Sequence, residues 1–314
     1  MVSIIIRAYN EEKHIGRLLE GICRQTVKDA EVILVDSGST DGTVSVAESF
    51  GARIVHIHPD EFTFGRSLNY GIKSATHELV IFASAHVYPV YPDWIETLLR
   101  PFQDDGIALT YGKQRGYEGS KYSEHQIFHQ WYPDLSKPKQ ETAFCNNANA
   151  AIRKSLWEKN PYDETLTGLE DLAWAKWATQ QGYAIAYVAE AEIIHIHNET
   201  PQGVYNRYRR EAMALRKIYP EAHFNFYDFL RLTTTNIFSD LWHAVREHAL
   251  LKNLFSIFWF RFMQFHGTRI GHRETSLITP QLRETFYYAR ERRGQEDEKR
   301  DVEPIKYDKG SGEW

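Results

Sequence analysis

Two adjacent carboxylates in this 314-residue chain have the chemistry and the position of a reactive pair. Glu170 and Asp171 follow Gly168 and open a predicted helix, whose dipole favours negative charge at its N-terminus. A carboxylate can take the proton of an attacking hydroxyl group when the two lie within hydrogen-bond distance. The pair could instead serve only as a helix cap. It is therefore a candidate for acid–base chemistry, with a structural alternative.

Further candidate binding residues, most of them polar or aromatic, lie at the ends of predicted strands. They are Ala8, Tyr9 and Glu11 after the first strand, Asp36 after the second, and Ser84 and His86 after the fourth. An aromatic ring can stack on a nucleobase, and a carboxylate can accept a hydrogen bond from the N3–H of uracil or thymine. Tyr9 could instead be a packed aromatic, and Asp36 could merely build a turn.

The elements between these residues predict that they meet at one edge of a sheet. Short apolar, β-branched runs predict strands at 2–6, 31–35, 52–57 and 78–83, and helical spacing follows three of them, from Asn10, Val44 and Leu68. This alternation indicates βαβ units and a parallel sheet. Ligands bind at the carboxyl ends of the strands in such sheets.

The later chain reads differently. Further strands are predicted at 107–115, 148–153, 184–188 and 192–195, and helices at 93–102, 170–181 and 205–219. Residues 116–142 read as a long connection, which is usually functional or mobile. Residues 226–272 read as more helix, rich in aromatics, and 295–314 as a loose, charged tail.

Composition narrows the class of protein. The net charge of −5 gives no basic face for nucleic acid, so none is expected as a partner. Two cysteines are too few for a disulfide scaffold and favour a reducing cytoplasm. The N-terminus has no signal-peptide pattern, and the apolar stretch 253–265 is interrupted by Arg261. We expect a soluble or peripheral protein.

Five segments, in order, resemble family 2 glycosyltransferases with the GT-A fold. They are RAYNEE, VILVDSGSTDGT, FGRSLNYG, the strand that ends at Ser84-Ala85-His86, and GLEDLAWA. The resemblance covers residues 1 to about 200 and is strongest to rhamnosyltransferase-like bacterial members that build surface polysaccharides. It implies an α/β fold, with a Rossmann-like, mostly parallel sheet flanked by helices. It implies a catalytic domain at 1–200, with a nucleotide-binding half at 1–115 and an acceptor half at 116–200. The sequence pattern beyond it predicts a helical C-terminal region at 201–294 and a flexible tail at 295–314.

The resemblance also implies an activity. It predicts inverting transfer of a sugar from a nucleoside diphosphate sugar, with dTDP or UDP favoured, to a saccharide or lipid-linked saccharide in polysaccharide biosynthesis. Asp171 would be the general base, and Glu170 would orient it or bind the acceptor. Arg66 would approach the diphosphate, although it could be a surface arginine. The residues that would bind the nucleotide sugar are Ala8, Tyr9, Glu11, Asp36, Arg66, Ser84 and His86.

This chain departs from the family at the metal site. Most members have Asp-x-Asp where it has Ser84-Ala85-His86. Either His86 ligates a divalent cation, Mn²⁺ or Mg²⁺, with help from His195 or His197, or cationic side chains stabilise the leaving diphosphate without a metal. Strand alternation puts His195 and His197 on one face, and imidazole suits Mn²⁺ better than Mg²⁺. We favour a bound metal over two purely structural histidines.

Two other function classes stay open at this point. A nucleotidyltransferase would share the βαβ opening but usually has a glycine-rich basic loop after strand one, which RAYNEE is not. A catalytically silent sugar-nucleotide or glycan-binding module is supported only by the Ser-Ala-His replacement. The aromatic helices within 236–272 could contact the inner face of the membrane, where a lipid-linked acceptor would lie, or could pack in the core or in a homodimer.

Overall fold

The computed structural model describes residues 1–274, which contain nine strands and ten α-helices. The strands are β1 (Val2–Ala8), β2 (Ala30–Asp36), β3 (Arg53–His56), β4 (Leu79–Ser84), β5 (Val87–Pro89), β6 (Ile107–Gly116), β7 (Lys137–Gln140), β8 (Asn149–Arg153) and β9 (Ala184–His195). The helices are α1 (Glu12–Cys23), α2 (Thr43–Ser49), α3 (Phe64–Ser74), α4 (Trp94–Leu99), α5 (Tyr122–Trp131), α6 (Lys154–Lys159), α7 (Glu170–Gln180), α8 (Pro201–Ile218), α9 (Phe226–Arg246) and α10 (Leu250–Gly271). Short 3₁₀ helices lie at Pro59–Glu61 and Arg100–Gln103.

All nine of these strands belong to one sheet, in the order β3-β2-β1-β4-β8-β6-β9-β5, with β7 paired to β9. β1 runs parallel to β2 and β4, and β2 runs parallel to β3. β8 is antiparallel to both β4 and β6, so β6 and its parallel neighbour β9 have the direction of β4. Six of the nine described strands therefore run one way, which confirms the predicted mostly parallel α/β sheet flanked by helices.

The sheet is buried on both faces. Ile5 belongs to one apolar cluster, whereas its neighbours Ile4 and Ile6 belong to the other. Successive side chains of a strand point to opposite faces, so a strand covered on both sides needs an unbroken apolar run. Trp174 of α7 anchors the first cluster and Trp94 of α4 the second. The uninterrupted run of isoleucines in β1 is thus explained by the helices that cover both faces of the sheet.

Three segments differ from the sequence prediction. Residues 116–142, predicted as a long connection, contain α5 and β7, and β7 pairs with β9. The two strands predicted in 184–195 are one strand, β9, whose pairing with β6 shifts register between Gly112 and Gln114. The helical stretch 226–272 is broken between Arg246 and Leu250, where His248 has a φ of +54°. The predicted tail at 295–314 lies outside the described residues.

The C-terminal helices pack on one another and on α5. In the described chain, the last strand ends at His195 and only helices follow from Pro201, close to the predicted boundary at 200. The division into separate domains stays a prediction. Gly267 of α10 lies against α8, where an added Cβ would come within 2.4 Å of the Tyr205 carbonyl oxygen. Arg261 of α10 donates two buried hydrogen bonds to Asp240 of α9, at 2.7 and 2.8 Å.

Over residues 1–274, no helix has the length and apolarity needed to cross a bilayer. Cys23 is exposed, Cys145 is buried, and both thiols are free.

Candidate active site

The ends of β1, β2 and β4 bring the predicted donor-site residues to one edge. Ala8 pairs in register with Asp36, and Arg7 pairs with Ser84. His86 follows Ser84 after one residue. Parallel pairing of these three strands thus brings together residues that are far apart in sequence, such as the register partners Arg7 and Ser84. This is the arrangement that the strand–helix alternation predicts.

Asp36 is buried and closes the turn that follows β2. Its carboxylate accepts hydrogen bonds from the backbone N–H groups of Gly38 and Ser39, at 3.1 and 3.2 Å. Gly38 has a φ of +95°, which glycine adopts without strain. Asp36 therefore builds the turn, and its contact with a nucleobase stays a prediction. Two carboxylate oxygens have lone pairs for both tasks.

The loop after β1 is tied to the loop after β2. The Asn10 N–H donates to Ser39 Oγ at 2.9 Å, and Asn10 Oδ1 accepts from the Thr40 N–H at 2.8 Å. Tyr9, in the loop after β1, is partly buried and packed against the first apolar cluster. Its ring is thus held by packing on one side, and base stacking by Tyr9 stays a prediction.

Arg66 lies in the first turn of α3 and is paired with a carboxylate. Its Nε donates to Glu164 Oε2 at 2.7 Å, and its Nη1 donates to the Glu61 carbonyl oxygen at 2.9 Å. Hydrogen bonding and charge from Glu164 raise the pKa of Arg66. Contact of Arg66 with a diphosphate stays a prediction, and it would compete with this ion pair.

Asp171 is buried at the N-terminus of α7. Its carboxylate accepts from the backbone N–H of Asn147 at 3.0 Å and of Leu172 at 2.8 Å. Burial and the neighbouring Glu170 carboxylate raise the pKa of Asp171 to about 7, against the opposing effect of these hydrogen bonds. A base with a pKa near the working pH transfers protons efficiently.

Glu170 connects α7 to the donor edge. Arg7, from the end of β1, donates to Glu170 Oε1 at 3.2 Å. The Arg7 guanidinium also lies over the Phe64 ring, 4.8 Å from its centroid. Because Arg7 pairs in register with Ser84, this contact brings the carboxylate pair to the edge that carries the other predicted residues. The sequence prediction gave Arg7 no role, although it follows the apolar run of β1 directly.

The three histidines predicted as metal ligands come together. His86, His195 and His197 each offer one ring nitrogen, and these three atoms lie within 4.8 Å of one another. The rings of His195 and His197 are 3.9 Å apart between centroids, and those of His86 and His195 are 5.0 Å apart. Burial lowers the pKa of His195 well below its ordinary value, so its imidazole is neutral.

Each of these histidines contacts a different oxygen through Nδ1. His86 Nδ1 is 3.0 Å from Glu11 Oε1. The corresponding distances are 2.8 Å from His195 Nδ1 to Gln114 Oε1 and 2.7 Å from His197 Nδ1 to Glu124 Oε1. Glu11, predicted to hold the nucleoside, thus contacts His86, and its nucleoside role stays a prediction.

Sequence reasoning gave no role to Gln114, Glu124 or Arg207. Arg207 of α8 donates to Glu124 Oε1 at 2.9 Å and also pairs with Glu199 at 2.8 Å. Burial opposes ionisation of Glu124, but contacts with His197 and Arg207 outweigh it and lower its pKa to about 2. Glu124 is therefore an ionised carboxylate that joins α5, α8 and the end of β9.

Comparison with known proteins fits this geometry. The mannosyltransferase PcManGT from Pyrobaculum calidifontis, solved with GDP-Man and Mn²⁺, superimposes with a TM-score of 0.60 at 17% identity. The aligned part covers 87% of this chain and 86% of that chain, and at this identity the likeness shows the fold alone. The fold is therefore that of the GT-A glycosyltransferases.

The sequence relatives identify the family. The model of glycosyl transferase family 2 matches residues 3–160, half of the chain, which therefore belongs to that family. The O-antigen chain rhamnosyltransferase RfbN of Salmonella typhimurium is 30% identical over 220 residues, covering 66% of this chain and 70% of that protein. The O-antigen chain rhamnosyltransferase WbaN of Salmonella anatum is 31% identical over 196 residues, covering 59% of this chain and 62% of that protein. Less than two thirds of the second relative is thus covered.

Proposed function

We propose that this glycosyltransferase moves a sugar, with inversion, from a nucleoside diphosphate sugar to a saccharide or lipid-linked saccharide acceptor in polysaccharide biosynthesis. The observation that carries the proposal is Asp171, a buried carboxylate with a pKa of about 7 beside the donor edge. The names of the two Salmonella relatives, O-antigen chain rhamnosyltransferases, support a polysaccharide product.

The chemistry needs one base and one leaving group. The acceptor hydroxyl oxygen attacks the anomeric carbon of the donor sugar, and its proton passes to Asp171. The bond from the anomeric carbon to the β-phosphate oxygen breaks, and the nucleoside diphosphate leaves with that electron pair. Glu170 and its ion pair with Arg7 hold the start of α7 at the donor edge. Attack from the face opposite the leaving group inverts the anomeric centre.

The donor site supports a pyrimidine nucleotide. Asp36 lies at the end of β2, beside the β1 end that carries Ala8 and Tyr9. A carboxylate there can accept from the N3–H of uracil or thymine, so we favour UDP and dTDP sugars. A divalent cation near His86 would stabilise the negative charge that develops on the leaving diphosphate. The alternative is stabilisation by cationic side chains such as Arg66.

An aromatic face on α9 and α10 supports an acceptor at a membrane surface. This face consists of Phe238, Trp242, Phe255, Phe258 and Phe262, all of which are exposed; Phe255 reaches 82%. The same two helices carry exposed cations, namely Arg231, Arg246 and Lys252, and the Arg246 guanidinium lies over the Trp242 ring. Aromatic rings with flanking cations suit a helix that lies at an anionic lipid surface, and we place the protein at the inner face of the membrane on this basis.

The test of the function is release of nucleoside diphosphate. The protein is incubated with UDP-, dTDP- and GDP-sugars, and released nucleoside diphosphate and thermal shift are measured. We expect release from at least one donor and stabilisation by its nucleoside diphosphate. If nucleoside diphosphates stabilise the protein but none is released, whichever donor and acceptor are supplied, the result would favour a silent binding module. If no donor gives either release or stabilisation, the result would reject both the glycosyltransferase and the binding module.

A further inference from the structure

We infer that His86, His195 and His197 form a binding site for a nitrogen-preferring divalent transition metal, one that takes Zn²⁺ or Co²⁺ more tightly than Mn²⁺ and does not take Mg²⁺. Its placement beside the donor diphosphate rests on the proposed function, but metal binding itself does not. Its donor set consists of three histidines of this chain, in place of the carboxylate pair that the family resemblance implies.

The first argument is convergence at a buried, unsatisfied nitrogen. One ring nitrogen from each histidine lies within 4.8 Å of the other two. His195 is only 6% exposed, and within residues 1–274 its Nε2 has no hydrogen-bond partner. A buried polar atom without a partner costs free energy, which a metal ligand bond would recover. The partly exposed rings of His86 and His197 lie beside the His195 ring, with centroids 5.0 and 3.9 Å from its centroid.

The second argument is that a neighbouring side-chain oxygen orients each of the three rings. Metal-binding histidines almost always donate the second ring N–H to a carboxylate or carbonyl oxygen, which fixes the tautomer. Here each Nδ1 has such an oxygen within 3.0 Å, from Glu11, Gln114 or Glu124. Nδ1–H then faces the acceptor, and Nε2 keeps the lone pair for a ligand.

One contact competes with this tautomer assignment. Arg207 Nη1 lies 3.2 Å from His197 Nδ1, and a guanidinium can only donate. The Glu124 carboxylate is nearer, at 2.7 Å, and hydrogen bonds to an ionised oxygen are the stronger kind. Arg207 also contacts two carboxylates through Nη2, Glu124 at 2.9 Å and Glu199 at 2.8 Å. We therefore assign the Nδ1 proton of His197 to the bond with Glu124.

The donor set decides the class of metal. Three imidazoles and no carboxylate suit Zn²⁺, Co²⁺ and other first-row ions, whereas Mg²⁺ requires oxygen ligands. Affinity for such sites rises from Mn²⁺ through Co²⁺, and Zn²⁺ binds more tightly than Mn²⁺. Three protein ligands also leave a coordination position open, as in catalytic rather than structural sites. Diphosphate oxygens are the chemical class that could fill it.

The experiment measures metal binding without turnover. Chelator-treated full-length protein is titrated with Co²⁺ and followed by its visible absorption, and with Zn²⁺, Mn²⁺ and Mg²⁺ by calorimetry. We expect one equivalent of Co²⁺ bound with a ligand-field spectrum, displaced by Zn²⁺ and unaffected by excess Mg²⁺. His197→Ala should abolish the spectrum. His125→Ala, a histidine on α5 outside the cluster, is the matched control and should leave it unchanged.

Gln114→Leu separates positioning from folding. It removes the acceptor of His195 while keeping every ligand, so we expect about 10- to 100-fold weaker binding of Co²⁺ with a native circular dichroism spectrum. No Co²⁺ spectrum in the wild-type protein, binding that survives His197→Ala, or Mg²⁺ that displaces Co²⁺ would each overturn the inference. Metal binding without sugar transfer would agree with the inferred metal site and would contradict only the proposed function.

Discussion

The surroundings of Asp171 shift its pKa in two opposite directions. Burial and the adjacent Glu170 charge favour its protonated form, whereas two backbone N–H groups favour the carboxylate. The balance places its pKa at about 7, some three units above that of an ordinary aspartate. An exposed aspartate would be ionised at all working pH values but would be a much weaker base.

This environment predicts how the activity depends on pH. The base must be ionised, so the rate of nucleoside diphosphate release should rise as pH increases through about 7. Glu170→Gln removes the neighbouring negative charge, which lowers the pKa of Asp171 and should move the rising limb to lower pH. The measurement is kcat/KM against pH for both proteins. A limb that stays in place in Glu170→Gln would show that another group controls the profile.

At the scale of elements, the sequence predicted the edge of the sheet but not its cross-links. Strands β1 to β4 are apolar, β-branched runs followed by turn residues, a pattern that can be read directly. The contacts that orient the site join residues far apart, such as Gln114 with His195 and Arg66 with Glu164. Such pairs depend on how strands and helices assemble, which no local pattern contains.

The helix α5 shows why a segment can be misread. It buries Ser123 and Glu124 beside Tyr122, so its inward face is partly polar. A polar inward face interrupts the apolar period that predicts a helix. Glu124 can be buried because it contacts His197 and Arg207. The polar residue that contributes to the site is thus also the one that hides the helical pattern of α5 in the sequence.

Packing between α8 and α10 should be sensitive to one glycine. In Gly267→Ala, the added Cβ would meet the Tyr205 carbonyl oxygen at 2.4 Å, so the helices must move apart. Overpacking costs about 1–3 kcal/mol, partly offset by the better helix propensity of alanine, about 1 kcal/mol. We expect a net loss of up to about 2 kcal/mol in the free energy of unfolding, measured by urea denaturation.

Gly203, also on α8, is the matched control. Its added Cβ would have its nearest contact at 3.5 Å, an ordinary distance, so Gly203→Ala should be neutral or stabilising. Equal stability changes in the two variants would contradict close packing of α8 on α10.

At the scale of the whole molecule, the C-terminal helices join the candidate active site to an exposed apolar surface. α8 reaches the site through Arg207 and packs on α10, which carries three rings of the aromatic face. A homodimer could also cover this face. Dependence on salt distinguishes the two partners. Binding to an anionic bilayer depends on the cations of these helices and weakens as salt screens them, whereas a homodimer formed through the rings does not depend on these charges.

The aromatic face predicts binding to anionic vesicles. In flotation with phosphatidylglycerol-containing liposomes, we expect the protein to rise with the lipid. Trp242→Ser and Phe255→Ser should each weaken binding about 10-fold, because each removes one ring from the apolar surface that enters the interface. Phe50→Ser, which removes an exposed ring at the end of α2, should not weaken binding. Absence of flotation, or a concentration-dependent dimer that needs the same rings, would contradict the membrane assignment.

The central claim is that Asp171 takes the proton of the acceptor in sugar transfer. The most direct measurement is the rate of acceptor-dependent nucleoside diphosphate release by Asp171→Asn, with the donor that the wild-type protein uses. Asparagine keeps the size and an acceptor oxygen but cannot take the proton, so the rate should fall about 10²- to 10⁴-fold while the nucleoside diphosphate still stabilises the protein. Asp105→Asn, a fully exposed carboxylate, should retain the wild-type rate. A wild-type rate in Asp171→Asn would contradict the account.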